Sequence, residues 1–283
     1  MRSIVLALAA TLFPLAAHAG ENVAYTVDGE AFEGYRVKPT GASKGLVVII
    51  HAWGGVTEYE HKRADMIAAL GYDVFALDLY GKGNRPTDTD ARKREATKLY
   101  QDRTRMRKLL LAGLNEARDG RDAAAVVMGY CFGGAAALEL ARSGEAKDIN
   151  GYVTFHGGLK TPQGESYPAS TPSLLILHGG ADTSVTMDDV VALARELEAA
   201  HVPYEIQIYS GAPHGFTEFG SDRYQKDADE KSWAAFADFL ATVLGILRSQ
   251  QLTKRIGYRI PAFDAAGRRS PSLEQSLRRA LLA

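Results

Sequence analysis

The string Gly129-Tyr130-Cys131-Phe132-Gly133-Gly134 separates a β-type run, Ala124 to Met128, from a strong helix former, Ala135 to Ala141. A strand that turns sharply into a helix exposes one side chain above the sheet, and small neighbours are needed where strand and helix pass close together. The same turn puts Cys131 at a helix N-terminus, where the backbone dipole favours thiolate over thiol. Cys131 is the only cysteine of the chain, so no internal disulfide competes for it. A lone cysteine is by itself more often a small buried apolar residue than a nucleophile. The turn around this one argues for chemistry.

A cysteine nucleophile needs a base and a group to orient the base. In a strand-turn-helix architecture of this kind the chain order is nucleophile, acid, histidine. Asp182 follows an apolar run in His178-Gly179-Gly180-Ala181-Asp182, and His214 follows the next in Gly211-Ala212-Pro213-His214-Gly215-Phe216. Singly, Asp182 reads equally as a turn residue or helix cap and His214 as a loop histidine. Together, in order and each just after a strand, they read as the triad Cys131, His214, Asp182. In the expected reaction neutral His214 removes or holds the thiol proton, Asp182 fixes its tautomer, and the sulfur attacks a carbonyl to give an acyl-thioester that water releases.

The developing oxyanion needs two donors. Phe132, the residue after the nucleophile, supplies one amide, and His51-Ala52-Trp53-Gly54-Gly55 supplies the other, with the Trp53 amide as the candidate. Trp53 reads also as a cap on the core, a role that leaves its amide free. His51, His156 and His178 end predicted strands on the same rim. No carboxylate or cysteine stands at ligand spacing from them, and strand-end histidines more often hydrogen-bond loop backbone, so no metal site is expected. His156 is read with Tyr80 and Phe216 as pocket wall.

These residues need a sheet whose strand ends meet on one rim. Runs rich in β-branched residues occur at Leu46 to His51, Tyr72 to Leu77, Ala124 to Gly129, Gly151 to His156, Ser173 to His178 and Tyr204 to Tyr209. Apolar at nearly every position, they suit a mostly parallel sheet with helices on both faces, an α/β fold. Helices are expected over Glu58 to Leu70, Ala91 to Leu114, Gly134 to Arg142, Met187 to Ala200 and Asp227 to Leu244. Tyr25 to Val27 and Ala31 to Val37, joined by Asp28-Gly29, read as a small antiparallel entry.

The chain has 283 residues, 46% apolar and 24% charged, which suits one large globular domain. A formal net charge of −1 argues against nucleic acid as partner. Residues 1–19 read as a cleaved signal peptide: Arg2 begins it, Ile4 to Leu15 are almost all apolar, and Ala17-His18-Ala19 is a small-x-small site. The apolar run is short for a membrane anchor. The domain is placed at 20–247, in a protein exported to the periplasm or beyond. Residues 248–283, with far more Lys and Arg than Asp and Glu, read as a solvated, poorly ordered tail.

On Gly129-Tyr130-Cys131-Phe132-Gly133-Gly134, Asp78-Leu79-Tyr80-Gly81, His178-Gly179 with Asp182, and His214-Gly215-Phe216, the chain from about Leu46 to Leu244 resembles the dienelactone hydrolase family, and within it the exported bacterial members. The resemblance implies an α/β-hydrolase fold without an elaborate lid, no metal or organic cofactor, and hydrolysis of an enol lactone or related small ester, here by a monomer. Two positions depart from the family pattern. A glutamate beside the early oxyanion loop is replaced by Ala52, and the two arginines that clamp an anionic substrate are matched by Lys82 and Glu218. One ammonium beside a carboxylate attracts an anion little. Neutral esters are therefore expected to be hydrolysed at least as well as carboxylate-bearing ones, unless Arg63 or Arg85 forms the clamp. Two rival readings are a thiol redox protein, which lacks a resolving cysteine, and a non-catalytic binding protein, motivated by Ala52.

Overall fold

The computed structural model describes residues 20–256, with side chains as far as residue 245. The signal peptide read over 1–19, and the tail beyond residue 256, lie outside the described residues. The strands are β1 (Glu21–Val27), β2 (Glu30–Val37), β3 (Leu46–Ile50), β4 (Asp73–Leu77), β5 (Ala125–Tyr130), β6 (Ile149–Phe155), β7 (Ser173–Gly179) and β8 (Tyr204–Tyr209). They form one sheet in the order β1-β2-β4-β3-β5-β6-β7-β8. The pairs β1/β2 and β2/β4 are antiparallel and all others parallel, so the expected α/β architecture and its antiparallel entry are both found.

The helices are α1 (Glu58–Ala69), α2 (Thr89–Gln101), α3 (Arg103–Arg118), α4 (Phe132–Ser143), α5 (Met187–Ala200) and α6 (Lys226–Ile256). All five residues of β3 are buried because both faces are covered. Leu46, Val48 and Ile50 pack with residues of α2 to α5, such as Leu110 and Leu193, while Val47 and Ile49 pack with Ile67 of α1 and Phe236 of α6. An apolar residue at every position is the pattern of a strand buried on both sides. No described helix is long and apolar enough to cross a membrane.

Two helix expectations are corrected. The helix expected over Ala91 to Leu114 is two helices, broken at Asp102, whose φ of −122° and ψ of 76° leave the helical region. Its carboxylate accepts from the Arg105 amide at 2.9 Å, starting α3, while its own N–H closes α2 on Lys98 O. An aspartate offers the backbone this alternative to continuing a helix. At the other end, α6 runs to Ile256, past the expected end at Leu244 and past the domain boundary at 247. Gly245 is the only strong helix disfavourer there, and one glycine costs only about 1 kcal/mol.

The turn between β5 and α4 fixes the centre of the sheet. Cys131 has φ 53° and ψ −114°, a conformation rare for a non-glycine residue. It is imposed by how closely α4 approaches the strands: a Cβ on Gly129 would stand 2.2 Å from the Gly133 carbonyl carbon, and one on Gly133 would stand 2.1 Å from Ile50 O. Gly133→Ala is therefore expected to destabilise the fold by about 3 kcal/mol, lowering Tm by on the order of 10 °C in thermal unfolding. A parental Tm would mean that α4 can move away from β3 at little cost.

Candidate active site

Three loops meet at the carboxyl ends of the parallel strands. β5 delivers Cys131, the loop after β7 delivers Asp182, and the loop after β8 delivers His214. Asp182 is nearly buried, and its Oδ1 accepts the Ser184 and Val185 amides at 2.8 and 2.9 Å. That leaves Oδ2 for His214 Nδ1 at 2.8 Å, and His214 Nε2 stands 3.1 Å from Cys131 Sγ. The three candidates thus form one continuous hydrogen-bonded chain.

Burial, the largest influence on His214, disfavours its charged form. The hydrogen bonds to Asp182 and Cys131 and the charges of both outweigh it, and the pKa is pushed up to about 10. Burial likewise disfavours the Asp182 carboxylate, but the bond from His214 and the two backbone amides hold its pKa below the ordinary value. His156 is buried in contact with His214, with ring centroids 5.2 Å apart, and burial followed by the His214 charge pushes its pKa well below 6.5. Of the two rings, His214 is the one whose surroundings favour the proton.

The remaining rim histidines are committed to backbone, as expected. His51 Nε2 accepts the Leu79 amide at 3.1 Å and its Nδ1 donates to Ala52 O at 2.6 Å. His178 Nε2 donates to Val185 O at 3.1 Å. His156 differs, pairing through Nε2 with the Thr217 hydroxyl at 2.8 Å.

A cavity of about 300 Å³ opens on Cys131 and His214, at the small end of the range for ligand sites. Trp53, His156 and Glu218 line it as expected, but three other expectations are corrected. Lys82 is turned away to pair with Glu33 at 3.0 Å. Tyr80 packs on His51 and Phe132, with centroids 4.6 and 5.7 Å away, and Phe216 is buried behind His156. Neither side chain lines the cavity. Arg63 is buried on Asp229 and Arg85 bonds Asp78, so neither forms a clamp.

The cations at the cavity are Arg92, from the first turn of α2, and Arg223, which pairs with Glu218 at 2.6 Å. The sequence reading missed both, together with Glu60 of α1. Neither arginine lies in a motif, and each reaches the cavity only through the path of its loop or helix. Glu60 carried a local signal as the third residue of a helix opened by Thr57, but nothing in that pattern says it faces a site.

Residues 32–244 match the Dienelactone hydrolase family. The chain belongs to the dienelactone hydrolase family. It is accordingly a hydrolase of the α/β-hydrolase fold. Protein usf of Aquifex pyrophilus is 25% identical over 78% of this chain and 99% of its own. The carboxymethylenebutenolidase homolog of Homo sapiens is 26% identical over 67% of this chain and 78% of its own. Among solved structures, a dienelactone hydrolase-like promiscuous phosphotriesterase from metagenomic libraries superimposes with a TM-score of 0.72 at 26% identity, covering 80% of this chain and 98% of that one.

A histidine pKa raised from 6.5 by folding stabilises the protein fully below about pH 6.5, and that contribution is lost as pH rises through about 10. The His214 ring is expected to titrate near pH 10 by NMR, and to titrate lower in Cys131→Ser, which removes a source of negative charge. A titration unmoved by that substitution would leave Asp182 alone as its cause.

Proposed function

We infer that the protein hydrolyses small carboxylic esters or lactones by nucleophilic catalysis through Cys131. The observation that carries this is the unbroken chain from Asp182 through His214 to Cys131, at 2.8 and 3.1 Å, opening on a small cavity. The human relative bears the name of a lactone hydrolase, which supports the substrate class.

His214, its pKa pushed up to about 10, takes the Cys131 proton, and Sγ, at the start of α4, becomes the nucleophile. Sγ bonds to the carbonyl carbon, and the carbonyl electron pair moves to oxygen, facing the amides of Phe132 and Trp53. The oxyanion collapses, the C–O bond to the leaving group breaks, and the departing alkoxide or enolate takes the proton from His214. Neutral His214 then removes a proton from water as its oxygen attacks the thioester carbon. The second tetrahedral species expels Sγ as thiolate, giving back the ion pair and releasing the acid.

The mouth also bears on substrate charge. Lys82 is committed elsewhere, and Glu218 is offset by Arg223. Arg92 donates to Pro86 O at 3.1 Å and makes no ion pair among the described residues. Arg92 is thus left at the mouth to meet an anionic group of a substrate.

On a panel of aryl esters and lactones, intact mass is expected to show an acyl group on Cys131. His214→Ala should lower kcat by on the order of 10²-fold or more with the fold intact, and Asp182→Asn should impair it as well. Unchanged turnover in His214→Ala would remove the histidine as base. Cys131→Ser separates the rivals: a redox activity would vanish, ligand binding alone would survive, and ester hydrolysis would fall. Arg92→Ala should raise KM about 10-fold for a carboxylate-bearing ester while leaving a neutral analogue nearly unchanged. Equal effects on both would show that Arg92 does not read charge.

A further inference from the structure

Glu60 is 1% exposed, unusual for a carboxylate without a cationic partner. It is the third residue of α1, where a capping-box glutamate normally returns one hydrogen bond to the cap residue and otherwise faces water. Here both oxygens point inward. Oε2 accepts the Thr57 amide at 2.9 Å and the Thr57 hydroxyl at 2.6 Å, while Oε1 accepts the Ala52 amide at 3.1 Å. One carboxylate therefore ties together both ends of the loop from Ala52 to Thr57, which lies between β3 and α1. Burial pushes its pKa up, and the three donors that converge on it oppose that rise.

The Ala52 carbonyl, on the other side of the same residue, is held as firmly. Ala52 O accepts from His51 Nδ1 at 2.6 Å and from the Gly55 amide at 3.2 Å. His51 can only donate there, because its Nε2 accepts from Leu79 N and burial pushes its pKa down to about 4. The peptide joining Ala52 to Trp53 is planar and trans, so the Ala52 carbonyl and the Trp53 N–H point in opposite directions. Fixing both peptide planes that meet at Ala52 fixes where the Trp53 N–H points.

We propose that Glu60 is a positioning residue of the oxyanion site: its carboxylate holds the loop start so that the Trp53 amide faces the carbonyl oxygen of the substrate. The proposal rests on the ester-hydrolase reading above, in which Trp53 N–H is the second oxyanion donor. Glu60 itself does not touch the reacting atoms. It acts from the helix that follows the loop, whereas the position that departs from the family, Ala52, lies within the loop.

The test separates oxyanion stabilisation from triad reactivity. Alkylation of Cys131 by iodoacetamide displaces iodide at a saturated carbon and forms no oxyanion, so it reports only the thiolate and His214. Ester hydrolysis needs the oxyanion donors as well, and removing one such donor costs on the order of 10²-fold in kcat. Glu60→Gln, which puts an NH₂ group among three donors, is expected to lower kcat for an aryl ester about 10- to 100-fold with KM within about threefold of the parent. Alkylation should stay within about twofold, and inhibition by an aldehyde that adds to Cys131 as a tetrahedral thiohemiacetal should weaken in step with kcat. Glu60→Asp, which keeps the charge but cannot span both loop ends, should fall between.

Parental kcat in folded Glu60→Gln would overturn the proposal, and so would equal losses in hydrolysis and alkylation, which would place the defect in the triad or the fold. If neither variant folds, amide exchange in the parent decides: the Ala52 N–H should be strongly protected, and exchange at the rate of a solvent-exposed loop amide would overturn the proposal. Absence of ester turnover in the parent itself would instead overturn the ester-hydrolase reading.

Discussion

β5 hands the chain to α4 within a single residue, and the geometry of that step governs the rest of the site. The helix starts so close to β3 that a methyl group at Gly133 would stand 2.1 Å from Ile50 O, and Cys131 is held at a φ of 53°. Such a conformation costs on the order of 1–3 kcal/mol and persists only when the surroundings over-determine it. Here they do: α4 buries Ala136, Ala137, Leu138, Leu140 and Ala141 against the sheet, and that packing offsets the local strain. Sγ is then left at the rim, next to the amides at the start of the helix and within reach of the loops after β7 and β8.

Burial alone does not decide the charge of the groups gathered there. His51, His156 and His214 are all largely removed from water, yet burial pushes His51 down to about 4 and His156 well below 6.5, while His214 is raised to about 10. The difference lies in the partners. His214 meets a carboxylate and a sulfur, whereas His156 meets a hydroxyl and a neighbouring cation. The surroundings of one ring thereby favour its charged form and those of the other its neutral form.

The strands and the order of Cys131, Asp182 and His214 along the rim were legible in the sequence because each depends on short-range pattern. β3 and β5 are apolar at nearly every position, and Cys131, Asp182 and His214 each follow such a run in the order the fold requires. The break at Asp102 was hidden, since neither glycine nor proline marks it and only the cap geometry makes it a boundary. The substrate side was the least legible. Matching Lys82 to a family arginine could not give the direction of the side chain, which the nearby Glu33 captures. Arg223 reaches the cavity through the path of its loop and Arg92 through the placement of α2, neither of which periodicity encodes. Glu60 looked like an ordinary capping residue, because its long-range bond to Ala52 exists only after β3 and α1 have packed.

Helix α2 carries Arg92 to the mouth of the cavity, yet only Ala96 and Leu99 of its thirteen residues are buried. A segment anchored so lightly contributes little to the free energy of the domain and can open locally without the sheet. The residues of its outer faces are therefore free to vary at almost no cost in folding, while Gly133 and its neighbours are not. The turn at Cys131 and the mouth of the cavity are thus carried by parts of the chain under very different constraint, and descendants of this sequence could reshape the mouth by altering α2 while inheriting that turn unchanged.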